Sequence, residues 1–488
     1  MSITSIYARL QPSEVWRHFA ALNGIPRPSR HEAAARAYIC AVAQQCGAIA
    51  DEDAFGNLVV RVPASPHRET APVVAIQAHL DMVCEKRPDV EHDFVTDPIR
   101  ARIEGERVYA SGTTLGADNG IGAALALATL TSSGLEHGPL ELIFTVEEEI
   151  GLNGANALDP TLIRARQMIN LDSEDPEELT VGCAGGSGAV FRIPITREQA
   201  PTGWQVLRVG VSGLNGGHSG VQIHEPLANA IKLLVTALDV LQEAGIPYRI
   251  GTLAGGNAHN AIPRDAAATI AIPAERRSEA ESLISRLDAR LKAEWLEAEP
   301  GLQVTASPLP AAESVLPAEM GAVVMDLLRA LPHGVLRLSE VFPGKVETSA
   351  NLATVRTEEA ALVVAASTRS FVVAELDRLQ RELQEIGSRA GAELVPRPVY
   401  PAWEPNRDSE LLRVAERVYR EVAGHPAQVQ VIHAGLECGI IAAKLPGMEA
   451  VSFGPLIRGA HTPEEYVDIP SVEATWLLLT ALLAALSG

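Results

Sequence analysis

His79, Asp118, Glu149, Asp172 and His461 are side chains of the two types, imidazole and carboxylate, that hold a divalent cation. A hard or borderline metal accepts that mixture, and zinc suits it well. Two histidines and three carboxylates are too many for one ordinary four-coordinate zinc. They suffice for two metals when one carboxylate bridges ions about 3.5–4 Å apart. Asp118 is the natural bridge, because it precedes the helical stretch Gly120-Ile121-Gly122-Ala123-Ala124-Leu125, which it could cap. Two more acids stand beside ligands. Asp81, two residues after His79 and on the same side of an extended segment, could fix the imidazole's orientation. Glu148, adjacent to Glu149, could serve as general base for the attacking water, a task for a carboxylate beside the metals but not used as a ligand. Taken alone, Glu147-Glu148-Glu149 is also the pattern of a solvated helix face, and His79-Leu80-Asp81 is a triplet common by chance. The conjunction makes the case.

These residues need elements that deliver them to one place. Val73-Val74-Ala75-Ile76 leads to His79-Leu80-Asp81, and Leu142-Ile143-Phe144-Thr145-Val146 leads to the three glutamates. Met168-Ile169 leads through Asn170-Leu171 to Asp172. Short apolar strands alternating with helices predict an α/β fold, a mostly parallel sheet with helices on both faces. Ligands in such folds gather beyond the carboxyl ends of the strands, where each of these runs ends. Ser29 and Glu32 form a capping-box pattern that predicts a helix running toward Gly47. From about Gly185 the texture changes: Ala184-Gly185-Gly186-Ser187-Gly188 reads as a hinge or linker. Proline-punctuated sequence from Pro396 to Pro405 reads as the return, after which Val431-Ile432-His433 and a helix to Leu445 resume the alternation. The expected organisation is a discontinuous domain, 1–184 plus 396–488, interrupted by an inserted α+β domain, 185–395. Inside the insertion, Asn260-Ala261-Ile262-Pro263 before Ala266–Ile272 is loosely echoed by Asn351-Leu352-Ala353-Thr354 before Ala360–Ala366. An internal duplication would explain the echo; chance similarity explains it equally.

Composition sets the outer bounds. A chain of 488 residues exceeds the ~250–300 at which single cores stop growing, so at least two domains are expected. Lys and Arg number 40 against 61 Asp and Glu, a net −21 that argues against nucleic acid or an anionic membrane as partner. Met1 to Leu10 lacks a basic stretch followed by an apolar region, so no signal peptide is expected. The apolar stretch Ala474 to Leu486 is short of the ~20 residues of a spanning helix and reads as a buried C-terminal helix. Cys40, Cys46, Cys84, Cys183 and Cys438 are odd in number and lack CxxC spacing, which fits buried free thiols in a cytoplasmic protein.

The motifs also carry a resemblance. His79-Leu80-Asp81-Met82-Val83, Thr113 to Gly122 (TTLGADNGIG), Glu148 to Ala155 (EEIGLNGA) and Asn170-Leu171-Asp172-Ser173-Glu174 look like the aminoacyl-histidine dipeptidases. These belong to the wider aminoacylase and carboxypeptidase group of dizinc metallopeptidases. Gly213 to Gly220 (GLNGGHSG), His433 to Gly439 (HAGLECG), Gly454-Pro455 and His461-Thr462-Pro463-Glu464 are similar to the same pattern, in chain order. The resemblance implies that His79 and Asp172 hold one zinc, Glu149 and His461 the other, and Asp118 bridges them. It implies Glu148 as general base, Asp81 orienting His79, and an inserted domain acting as a lid that brings His218 to the oxyanion of the tetrahedral intermediate. Asn260 and Arg369 become candidates for holding the substrate backbone and its carboxylate, with structural use of either an equal reading. His433 and Glu437, which flank a turn into a helix, become candidates for a role beside the site or for the substrate's free amine, with a structural hydrogen bond equally open. The implied activity is hydrolysis of small peptides, broad among dipeptides and including Xaa-His, in the cytoplasm. N-acyl amino acids or tripeptides are the alternative substrates on the same metals. A non-catalytic binding protein is disfavoured, because all five ligands and the base are present. Manganese or cobalt would suit the same ligands, and a homodimer is compatible with the family.

Overall fold

The computed structural model describes residues 6–310, 314–396 and 400–488. Residues 1–5 of the N-terminal stretch and 397–399 of the proline-punctuated return lie outside the described residues. The chain forms two compact units. One comprises Met1–Cys183, Trp403–Val431 and Leu436–Gly488, the other Ala184–Ala402 and Ile432–Gly435.

The first unit is built on a sheet of eight strands: β1 (Ile49–Glu52), β2 (Leu58–Val62), β3 (Val74–His79), β4 (Leu140–Thr145), β5 (Gln167–Asn170), β6 (Glu178–Cys183), β7 (Gln428–Ile432) and β8 (Glu449–Ser452). Their spatial order is β1-β2-β4-β3-β5-β8-β6-β7. The central four, β4, β3, β5 and β8, are mutually parallel. Antiparallel pairing flanks them, β1 with β2, β2 with β4, and β8 with β6. The α/β class therefore holds, but the sheet is mixed and its parallel part is the centre. A short connection dictates this at one edge: Asp53 Oδ1 accepts the amides of Phe55, Gly56 and Asn57, folding β1 back onto β2. Every residue of β3 and β4 is buried, as expected of strands covered on both faces.

Helices cover the sheet: α1 (Ser13–Asn23), α2 (Ala33–Gln45), α3 (Ala117–Thr131), α4 (Glu410–Ala423), α5 (Glu437–Lys444) and α6 (Ile469–Leu486). In α3, a Cβ on Gly122 would come within 2.5 Å of the Leu171 carbonyl oxygen, so only glycine lets the helix lie this close to the end of β5. The capping box expected at Ser29 does not form. The helix begins at Ala33, Ser29 Oγ donates to Asp81 Oδ2, and Glu32 Oε1 accepts the amides of Arg30 and Glu147. Both side chains find tertiary partners that outcompete the local cap. The C-terminal helix is also longer than the sequence suggested. By length and composition α6 could cross a membrane, and here it buries one side, Val472, Thr475, Leu478, Leu479, Leu482 and Leu483, while Leu477 stays exposed.

The second unit contains a nine-stranded sheet with antiparallel pairing and a core of its own, in which helices Ala230–Glu243, Arg277–Glu294, Ala318–Ala330 and Val373–Arg389 pack. Its glycine-rich entry is a strand, Gly185–Pro194, and not a loose linker. A Cβ on Gly186 would meet the Tyr400 ring at 2.3 Å and one on Gly188 the Ala366 carbonyl at 2.5 Å, so these glycines permit close packing. Strand Ala266–Pro273 is followed by helix Arg277–Glu294, and strand Ala361–Ser370 by helix Val373–Arg389.

Candidate metal centre

β3 ends at His79, β4 at Thr145 and β5 at Asn170, so the candidate ligands leave adjacent strands at one edge of the first unit's sheet. His79 Nε2 lies 3.0 Å from Asp118 Oδ1 and 3.4 Å from Asp172 Oδ1. His461 Nε2 lies 3.2 Å from Asp118 Oδ2 and 3.1 Å from Glu149 Oε2. Two groups of three potential ligands result, His79–Asp118–Asp172 and Asp118–Glu149–His461, and Asp118 turns one oxygen to each histidine. Glu148 joins His79 and Glu149 in a third group. Glu149 Oε1 is buried without a hydrogen-bond partner. Clustered carboxylates and imidazoles with an acceptor left unmet fit divalent cations that take nitrogen and oxygen ligands.

The crowding is visible in proton affinities. Hydrogen bonds to Asp118 and Glu149 push His461 up to about 11. Burial opposes ionisation of Asp118, yet its bonds with His461 and His79 hold the carboxyl below the usual range. Burial pushes Asp172 up to about 6. Burial, reinforced by the charges of Asp172, Glu437 and Glu149, also raises Glu148 well above an ordinary carboxyl.

Asp81 is tied to more than His79. Its carbonyl oxygen lies 3.1 Å from His79 Nδ1 and its Oδ1 3.5 Å away. The same carboxylate accepts the amides of Glu148 (3.0 Å) and Glu149 (3.1 Å) and the Ser29 hydroxyl (2.7 Å). Burial works against this anion, but its bonds with His79, Ser29 and the Glu148 amide hold it at about 2. Asp81 thus braces His79 and the backbone of the glutamate pair together.

Asp118 does not cap α3 as expected. Gly116 occupies the cap in a left-handed conformation, and Asp118 has non-helical backbone angles (φ −79°, ψ 110°). Glu465 takes the amides around it instead: Leu115 and Gly116 on Oε2, Ala117 and Asp118 on Oε1, at 2.7–3.2 Å. That frees the Asp118 carboxylate for the histidines. Buried Arg27 holds the opposite side, donating to the carbonyls of Leu80, Asp81 and Gly116. Asn119 Nδ2 donates to Asp172 Oδ1 and to the Leu171 carbonyl. Glu465→Ala would strand these buried N–H groups, each worth about 1–3 kcal/mol when unsatisfied. The expected loss of unfolding free energy is about 3 kcal/mol or more, measured by urea denaturation; a loss under about 1 kcal/mol would contradict the bracing role.

Arg27, Asn119 and Glu465 escaped the sequence reading, and Ser29 was legible there only as a helix cap. Asn119 and Glu465 lie in or directly after motifs singled out there, whereas nothing in Ile25-Pro26-Arg27-Pro28 marks the arginine.

The remaining candidates meet within the second unit. His218 lies on the short strand Gly217–His218 paired with Ala261–Ile262, and Ser219 N donates to the Asn260 carbonyl at 2.8 Å. A Cβ on Gly220 would approach the His433 carbonyl oxygen at 2.6 Å, His218 Cε1 at 3.0 Å and Arg369 Cζ at 3.2 Å. His218 Nδ1 accepts the amides of Gly220 and Val221, which leaves the proton on Nε2. Burial, with Arg369 and His259 nearby, lowers His218 to about 4. Burial and Arg369 lower His433 to about 3, and its Nε2 stands 2.7 Å from Ser349 Oγ. Arg369 Nη1 donates to the Tyr400 hydroxyl at 2.5 Å.

An α/β unit that gathers two histidines and several acids at its strand ends, with a further glutamate beside them, defines a metal-dependent hydrolase. Residues 75–485 match the model of peptidase family M20/M25/M40. The chain is 40% identical over 476 residues to the cytosol non-specific dipeptidase of Escherichia coli K12, covering 98% of each. It superposes on the aminoacylhistidine dipeptidase of Vibrio alginolyticus with a TM-score of 0.89 at 38% identity, again covering 98% of each. The aminopeptidase PepT of Bacillus cereus shares the fold at a TM-score of 0.57 and 17% identity, over 98% of this chain and 100% of that one. The chain belongs to peptidase family M20/M25/M40.

Proposed function

We propose that the chain is a two-metal dipeptidase with broad specificity that includes Xaa-His. The observation that carries the reading is the pair of ligand groups sharing Asp118, with Glu148 beside them. His79 and Asp172 would hold one ion, Glu149 and His461 the other, and Asp118 both. Zinc is the first choice, and manganese or cobalt fits the same donors. Bound there, the ions supply Lewis acidity that polarises the scissile carbonyl and eases the deprotonation of water. Glu148 takes a proton from the attacking water on its carboxylate and passes it to the leaving amine nitrogen. Asp81 holds His79 and the amides of Glu148 and Glu149, so base and ligands keep their spacing.

The first unit takes the catalytic role in this proposal, and the second that of a lid. His218 offers its Nε2 proton to the oxyanion, Arg369 and Asn260 hold the substrate's carboxylate and backbone, and His433 assists beside them. The Escherichia coli relative is by name cytosolic and non-specific. The same compartment and breadth are proposed for this chain.

Chelation followed by metal restoration, on a panel of Xaa-His and other dipeptides, tripeptides and N-acetyl amino acids, tests the reading. Dipeptide hydrolysis should vanish on chelation and return with zinc, manganese or cobalt. Turnover confined to N-acetyl amino acids or tripeptides would replace the proposed substrate, and turnover indifferent to chelation would overturn the metal mechanism.

A further inference from the structure

One rung below the candidate ligands, a row of polar side chains crosses the first unit's sheet. Gln77, Asn170 and Ser452 are register neighbours on the adjacent parallel strands β3, β5 and β8. Gln77 precedes His79 by two residues and so shares its face of the sheet, while Asn170 precedes Asp172 by two. These three residues, Thr145 and Glu437 are all fully buried. Buried polar groups of this kind either satisfy one another or cost stability.

The row has a single direction. The Asp172 amide can only donate, so the Asn170 atom that receives it at 3.2 Å is Oδ1, and Asn170 Nδ2 faces Gln77 Oε1 at 2.5 Å. Gln77 is thereby obliged to turn its Nε2 toward Glu437, donating to Oε2 at 2.6 Å. Ser452 Oγ donates to Asn170 Oδ1 at 2.5 Å and stands 2.7 Å from Ser173 Oγ, from which it accepts. Thr145 Oγ1 donates to Glu437 Oε2 at 2.6 Å. Bonds from the ends of β3 and β4 therefore meet on one carboxylate oxygen, and Gln77 carries the hold on to β5.

We propose that Glu437 is a positioning residue for the metal ligands. By accepting from Gln77 and Thr145 it anchors the far end of the row, so that Gln77 is held against Asn170 and Asn170 against the main chain at Asp172. His79, the Glu148–Glu149 pair and Asp172 follow these residues closely in the chain, so the row sets their spacing. Removing the acceptor leaves Gln77 Nε2 only its longer bond to Thr145 Oγ1 at 3.2 Å, and the hold that runs through Gln77 to Asn170 loosens. The inference rests on the two-metal reading above.

The test is zinc affinity, measured on the full chain by competition with a chromogenic chelator at a temperature where every variant is folded. Glu437→Ala should weaken zinc binding about 10–100-fold, the usual cost of losing a residue that orients ligands, and lower kcat with little change in KM. Glu437→Gln keeps an oxygen for both donors and should restore affinity to within about threefold of wild type. Gln77→Leu cuts the same bond from the other side and should match Glu437→Ala. The double variant Gln77→Leu/Glu437→Ala should be no worse than either single one, because the row acts as a unit. Should Glu437→Ala not fold, the Gln77→Leu and Glu437→Gln measurements decide alone. Wild-type affinity in Gln77→Leu or Glu437→Ala would overturn the inference, as would a Glu437→Gln variant as damaged as the alanine. A wild-type chain that binds no zinc, manganese or cobalt would instead overturn the two-metal reading on which it rests.

Discussion

Glu148→Gln is expected to lower kcat on a dipeptide by about 10²–10⁴-fold, the usual contribution of a positioned general base, while the purified protein keeps its metal content. Glutamine matches the shape of the side chain but has no site for the water's proton. The backbone at this position is fixed independently, through the Glu148 amide on Asp81 Oδ1, so the substitution leaves the neighbouring ligands where they are. Steady-state kinetics on the variant, paired with elemental analysis, separates two roles that geometry brings close together. Glu148 belongs to a three-residue group with His79 and Glu149 that could itself hold an ion. If activity and metal disappear together, Glu148 is a ligand; if activity persists, another group is the base.

Asp118→Ala is expected to release both ions and bring hydrolysis below detection, whereas His461→Ala is expected to release one. The difference follows from sharing. Asp118 Oδ1 faces His79 and Oδ2 faces His461, so one side chain serves both ligand groups. The amide of residue 118 still has Glu465, which keeps the loop in place when the carboxylate is removed. Elemental analysis after dialysis reads the result as metal per chain. One ion retained by Asp118→Ala would mean that the aspartate serves a single ion and that the site is two separate ones.

The residues at the strand ends were legible because the strands that carry them are. VVAI and LIFTV are largely apolar runs, the signature of strands buried on both faces, and each leads within a few residues to acids or histidine that cannot be buried without a partner. The side chains that hold those residues in place were less legible. Ser29 and Glu32 have the spacing of a helix cap, but Asp81 and the Glu147 amide claim them, and both partners are remote in the chain. Arg27 and Glu465 act on backbone atoms more than fifty residues away, a relation that leaves no periodicity to read. Edge pairing was missed because it is decided by the short turn at Asp53–Asn57, where local hydrogen bonds outweigh the alternation of the larger fold. The glycines at 185–188 misled in the opposite sense. Their composition suggests freedom, and their neighbours leave room for nothing larger.

His461 and Glu465 stand on one loop, the first facing Asp118 and the second gripping the backbone that carries it. Both follow β8, the last strand to join the parallel centre of the sheet. A chain emerging from the ribosome therefore displays His79, Asp118, Glu148, Glu149 and Asp172 well before it owns the segment that completes the second ligand group and steadies the loop shared by both.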